Sequence, residues 1–77
     1  MKVTVELFGD LRKYLPSGKE GLEMDLEEGA TVADLVRHIE MERGEIWGIS
    51  IDGALVDRKT KLTHGNRVLL FPPIGGG

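Results

Sequence analysis

Only one stretch of this 77-residue chain has the apolar spacing of a helix long enough to cover a sheet. Val32, Leu35, Val36 and Ile39 fall at i, i+3, i+4 and i+7, which gathers them into one stripe. Elsewhere the apolar residues alternate with polar ones or form short continuous runs, which is strand spacing. A lone amphipathic helix and several half-buried strands can bury their apolar faces together by laying the helix across one sheet, an α+β arrangement. There are no cysteines. Disulfides, thiolate metal sites and a cysteine nucleophile are therefore excluded. A domain this small must then hold itself together by packing alone, for which a 40% hydrophobic content is adequate.

The elements follow in order. From Lys2 to Phe8, Val3, Val5 and Leu7 alternate with Lys2, Thr4, Glu6 and Phe8, which predicts a strand with one buried face. Gly9 breaks the pattern. Leu11 and Leu15 share helical spacing in a segment too short to define a helix, and Pro16-Ser17-Gly18 is loop chemistry. Leu22, Met24 and Leu26 alternate with Glu23, Asp25 and Glu27, predicting a second strand with an acidic outer face. Thr31 is placed to cap the helix, and Asp34 stands at the capping-box position. Gly44 is the expected helix stop. Asp52-Gly53 between Ile49-Ser50-Ile51 and Ala54-Leu55-Val56 signals a tight hairpin. Arg67 to Phe71 ends in a continuous apolar run, so a central strand is expected, with both faces covered or one face left for a partner. Pro72-Pro73 ends it. The order β, β, α, hairpin, β, with the last strand beside the first, is the β-grasp topology of ubiquitin-like proteins. Residues 1–71 form the expected domain and residues 72–77 an extended, flexible tail.

The formal net charge is −3, with a pI of about 5.3. Phosphate neutralisation needs a basic surplus, so nucleic-acid binding is not expected. No apolar run approaches the roughly 20 residues of a membrane span, and a cytoplasmic protein is expected. The charge is uneven: Glu20, Glu23, Asp25, Glu27 and Glu28 form an acidic stretch, and Arg58, Lys59, Lys61 and Arg67 a basic one. Either these are two solvated surfaces or they form a dipolar surface that steers a partner.

No side chains assemble an enzyme site. His38 lies outside the helix stripe and His64 lies in a turn, with no carboxylate pattern joining them. Ser17 and Ser50 lack a nucleophile motif, and no glycine cluster has phosphate-loop spacing with its lysine. The tail remains. Glycines at a chain end are often only a loose terminus. Here, however, Gly75-Gly76-Gly77 follow an apolar strand, with Pro72-Pro73 and Ile74 between. Diproline stiffens the exit into an extended form, and glycine lets a backbone approach another surface closely. Such a tail can thread its terminal carboxylate into a second protein's active site. If Val68 and Leu70 face the helix, Leu69 and Phe71 face outward beside Phe8, since residues two apart on a strand share a face. That apolar patch is a candidate docking surface; the alternative is ordinary core.

Phe8-Gly9-Asp10-Leu11-Arg12, Ile51-Asp52-Gly53, Leu62-Thr63-His64-Gly65-Asn66-Arg67-Val68 and Phe71-Pro72-Pro73-Ile74-Gly75-Gly76-Gly77 together resemble the MoaD/ThiS family of sulfur carriers. The resemblance covers essentially the whole chain. The diproline before the terminal glycines is similar to the molybdopterin branch more than to the thiazole branch. His64-Gly65-Asn66 departs from the family's frequent Asp-Gly-Asp, and Gly75 stands where a small side chain is usual. The resemblance implies a carrier that is not itself an enzyme and binds no cofactor. An adenylating, E1-like partner uses ATP to activate the carboxylate of Gly77. Sulfur then replaces AMP to give a thiocarboxylate. The loaded carrier docks on the large subunit of molybdopterin synthase, inserting Pro72, Pro73, Ile74, Gly75 and Gly76, and gives its sulfur to a pterin precursor. The alternatives it leaves open are a ubiquitin-like modifier joined to lysines through Gly77, or a sulfur carrier for tungsten-cofactor, thiazole or tRNA pathways.

Overall fold

The computed structural model of the chain describes residues 1–73. Among these described residues, five strands form one sheet: β1 (Lys2–Leu7), β2 (Gly21–Asp25), β3 (Gly48–Ile51), β4 (Ala54–Val56) and β5 (Arg67–Phe71). Their spatial order is β2-β1-β5-β3-β4. β1 pairs antiparallel with β2 and parallel with β5, which pairs antiparallel with β3. Helix α1 (Val32–Ile39) supplies Val32, Leu35 and Val36 to the same core cluster as Val3, Val5, Leu7, Val68 and Leu70. The expected α+β, β-grasp arrangement is therefore the observed one, with the last strand at the sheet centre beside the first.

Local chemistry explains most element ends. The Thr31 hydroxyl accepts from the Asp34 backbone N–H, and the Asp34 carboxylate accepts from the Thr31 N–H at 2.9 Å, so both halves of the capping box are present. These contacts, the backbone hydrogen bond from Thr31 foremost, hold the Asp34 carboxyl below its usual range. At the hairpin, Asp52 and Gly53 have φ of 48° and 91°. Positive φ at both central residues is the turn whose twist matches the flanking strands. The Asp52 carboxylate also accepts from the Arg67 N–H and the Asn66 side chain, tying the hairpin to the start of β5.

Two expectations change. The helix stops at Ile39, well before Gly44. Glu40 turns left-handed with φ 66°, its N–H bonding back to the Arg37 carbonyl and the Met41 N–H to the Val36 carbonyl. This is a Schellman closure built on a non-glycine residue. Its gain is Met41, which swings under the helix and is buried in the core; a helix continuing to Gly44 would carry Met41 out of that position. The undefined segment after Gly9 is a 3-10 helix, Gly9–Tyr14, which buries Leu11. A second short 3-10 turn, Arg43–Glu45, precedes β3.

Candidate functional site

The candidate site is the end of the sheet from which the tail leaves, together with the sheet face turned away from α1. Parallel register pairs Leu7 with Leu70. The next residues along, Phe8 and Phe71, therefore come side by side. Their rings stack with centroids 5.0 Å apart and planes 11° from parallel. Both are half-buried, as is Leu69, while Val68 and Leu70 on the same strand are fully buried against the helix. Leu69 and Phe71 thus lie on the open face. The apolar run of β5 serves two surfaces, one closed by the helix and one not.

The register extends this face. Leu69 pairs with Ser50, and Ser50 with Leu55. Leu55 is 79% exposed, so the apolar face of Phe8, Phe71 and Leu69 reaches, across the buried Ser50 of β3, to Leu55 on β4. Leu55 is not among the candidate residues in the sequence reading. In the continuous triplet Ala54-Leu55-Val56, alternation has nothing to report on, and the strand pairing alone places Leu55 beside Ser50 and Leu69. On the same face Glu6 forms an ion pair with Arg67, which raises the Arg67 pKa. The face is apolar toward the tail exit and charged toward the opposite end.

Three contacts fix the exit itself. The Trp47 N–H donates to the Phe71 carbonyl at 2.8 Å. The Phe8 N–H donates to the Leu70 carbonyl at 3.3 Å. Gly9 lies against the Pro72 ring. Pro72 and Pro73 follow β5 outside any strand, as their missing N–H groups require. The expected tail residues Ile74, Gly75, Gly76 and Gly77 lie outside the described residues.

The loops that flank the exit are tied together by one carboxylate. Glu45 accepts from the Tyr14 hydroxyl, from Lys13 Nζ at 2.8 Å and from the Glu42 N–H at 3.0 Å. The Lys13 hydrogen bond foremost, then those of Tyr14 and the Glu42 backbone, hold the Glu45 carboxyl at about 2 against a usual 4.5. The same contact raises the pKa of Lys13 and Tyr14. A depressed carboxyl contributes stability above its unfolded value and loses it on acidification. The Glu45 contribution is therefore complete above pH 4.5 and falls away between 4.5 and about 2. In acid titrations followed by circular dichroism, Glu45→Gln is expected to lower stability at neutral pH and to flatten the loss across that window. An unchanged titration would show that the carboxylate ties nothing.

The histidines take no part in this region. His38 is exposed on α1, and His64 Nδ1 accepts from the Lys2 N–H at 3.0 Å, which secures the turn before β5. Among the described residues there is no group of three or more His, Cys, Asp or Glu side chains arranged to hold a metal. Among the same residues, no helix is long and apolar enough to cross a membrane. The acidic residues Glu23 and Asp25 sit on the edge strand β2, and Arg58 and Lys59 follow the opposite edge strand β4. Glu23 with Asp25, and Arg58 with Lys59, therefore mark opposite edges of the sheet, while Arg67 of the basic stretch lies on the central strand β5.

The profile of the ThiS family matches residues 5–77. The chain belongs to the ThiS family. Among solved structures it is similar to a putative molybdopterin converting factor subunit 1 from Pyrococcus furiosus. That protein is 31% identical, with 95% of this chain and 98% of that one covered, at a TM-score of 0.74. It is also similar to small archaeal modifier protein 1 of Haloferax volcanii, at 20% identity, 95% and 98% coverage and a TM-score of 0.76. A third similar structure is the complex of subunits 1 and 2 of molybdopterin-converting factor from Helicobacter pylori, at 24% identity, full coverage of both chains and a TM-score of 0.64. At those identities the last two show the shared fold alone. No curated protein sequence matches the chain. This ThiS-family chain is thus a ubiquitin-like, sulfur-carrier-type domain.

Proposed function

We propose that this ThiS-family chain carries sulfur on the carboxylate of Gly77 for molybdopterin biosynthesis. An adenylating partner of the E1-like kind binds ATP. A carboxylate oxygen of Gly77 attacks the α-phosphorus, pyrophosphate leaves, and an acyl-adenylate forms. The adenylate is a good leaving group where the free carboxylate has none. A sulfide-level sulfur nucleophile held by a partner adds to the acyl carbon and AMP departs, leaving a thiocarboxylate. The loaded carrier docks on the large subunit of molybdopterin synthase and gives its sulfur to a pterin precursor; water returns the carboxylate oxygen. Every catalytic group in this sequence belongs to a partner, so the chain is a co-substrate and not an enzyme. It needs no bound cofactor of its own, and its expected place is the cytoplasm.

The observation that carries this reading is the joining of the open apolar stripe to the tail. Phe8 and Phe71 stack on the face that the helix leaves uncovered, and Phe71 is followed at once by Pro72-Pro73. A docking face and a stiff, thin extension at its edge suit insertion of a fixed length of chain into one dedicated partner. The 31% identity to the Pyrococcus furiosus molybdopterin converting factor subunit supports the choice of pathway. Leu69, Phe71 and Phe8 form the partner-binding patch in this reading, and Leu55 extends it.

The test is intact-mass measurement of the chain purified from its own cells with an untagged C-terminus. A fraction with one terminal carboxyl oxygen replaced by sulfur is expected. A ladder of larger species, each with Gly77 joined to a lysine and without thiocarboxylate, would instead establish a protein modifier and remove the carrier reading.

A further inference from the structure

We infer that Gly9 is a positioning residue that sets the direction in which the tail leaves the domain, acting through the ring of Pro72. The inference rests on the carrier reading for its consequence, but not for its geometry. Gly9 begins the 3-10 helix immediately after Phe8 and has a φ of +56°. A Cβ at this position would stand 2.9 Å from Pro72 Cγ and 3.8 Å from Pro72 Cδ. The first distance is below any ordinary carbon–carbon contact, so the bare Gly9 backbone is the surface on which the first proline of the tail rests.

The segment that contains Gly9 cannot yield. Leu11, two residues on, is 2% exposed in the core, and its N–H donates to the Phe8 carbonyl. The far end of the same 3-10 helix is held by Tyr14 and Lys13 on Glu45. On the other side, Phe71 is fixed by its ring stack with Phe8 and by the Trp47 N–H. The first freely adjustable part next to an added methyl is therefore Pro72, beyond the last strand residue. A side chain at residue 9 redirects the tail and leaves the docking stripe in place. Misplacing a reacting group by about 1 Å can cost about a hundredfold in rate, so the effect falls on turnover more than on binding.

The test uses the full chain and three variants: Gly9→Ala, Gly9→Asn, whose side chain tolerates left-handed backbone, and Gly9→Ala combined with Pro72→Ala. Nuclear Overhauser contacts between the Gly9 α-protons and the Pro72 γ-protons are expected in the wild type. In Gly9→Ala and Gly9→Asn the Pro72 ring resonances are expected to shift, with the Phe8–Phe71 ring contacts retained. With the ATP-dependent activating enzyme, purified by its pyrophosphate release on the wild-type chain, both variants are expected to lose about tenfold to a hundredfold in kcat. KM is expected to stay within about threefold, since the docking stripe is unchanged. Removing the ring with Pro72→Ala is expected to make the Gly9→Ala change nearly silent relative to Pro72→Ala alone. Unmoved Pro72 resonances, or a kcat loss in Gly9→Ala that persists undiminished on the Pro72→Ala background, overturns the inference. Absence of pyrophosphate release with the wild type overturns the carrier reading instead, and the resonance measurements still decide whether Gly9 sets the direction of Pro72.

Discussion

Deleting Gly77, or fusing a tag after it, is expected to abolish sulfur transfer and leave the melting temperature almost unmoved. The two halves of this result have separate causes. The core cluster runs from Val3 to Leu70, and the last strand ends at Phe71. Changes outside such packing ordinarily stay within about 0.5 kcal/mol. The chemistry, by contrast, has no substitute. No cysteine exists to take sulfur. In the proposed reaction, a peptide bond after Gly77 removes the carboxylate that ATP activates, and deletion shortens the tail. The measurement pairs a thermal melt with a thiocarboxylate assay on the two variants. Full transfer by the tagged chain would end the reading that Gly77 is the working group.

The second large effect is expected at Phe71. Phe71→Ala should weaken binding to the proposed large-subunit partner by about thirtyfold or more, the size of a central aromatic anchor at about 2 kcal/mol. Were Phe71 ordinary core, its truncation would cost about 3–5 kcal/mol of stability. The structure places the ring half-buried on the open face, stacked on Phe8, with Val68 and Leu70 filling the core beneath. The expected stability loss is accordingly below the core range, with the aromatic pair contributing about 0.5–1.5 kcal/mol beyond the area the half-buried ring covers. Titration calorimetry against the partner, with denaturant melts of the same samples, separates the two. Adding Phe8→Ala should cost less on the Phe71→Ala background than alone, because the stack is already lost. A stability loss in the core range with unaltered partner affinity per folded molecule would move Phe71 into the core and remove the docking patch.

Most of the architecture was legible because each element carries its own local signal. The helix was visible in the spacing of Val32, Leu35, Val36 and Ile39, its start in Thr31 and Asp34, the hairpin in Asp52-Gly53, and β1 in its alternation. The separation of β5 into a core side and an open side followed from period two once the helix had a side to lie on. Gly44 misled because the rule that glycine ends helices is a preference of the backbone. Here the burial of Met41 required an earlier exit and put Glu40 in the left-handed conformation despite its side chain. The short helix at Gly9–Tyr14 was hidden for the same reason: Leu11 holds it against the core, and its own sequence is too brief to declare it.

By itself the sequence determined the periodicities, the turn chemistry, the absence of any thiol and the composition of the tail. These suffice for a one-helix, one-sheet domain with its candidate chemistry at Gly77. Which distant residues meet follows from strand pairing and core packing alone. Parallel pairing of β1 with β5 brings Phe8 against Phe71, and pairing through β3 adds Leu55 to their face. The same closure sets Gly9 under Pro72 and draws Tyr14, Lys13 and Glu45 into one clasp. The physical reason is range. Propensity and periodicity act over a few neighbouring residues. Contacts between residues 9 and 72, or 14 and 45, exist only after the sheet has closed and are written nowhere in local spacing.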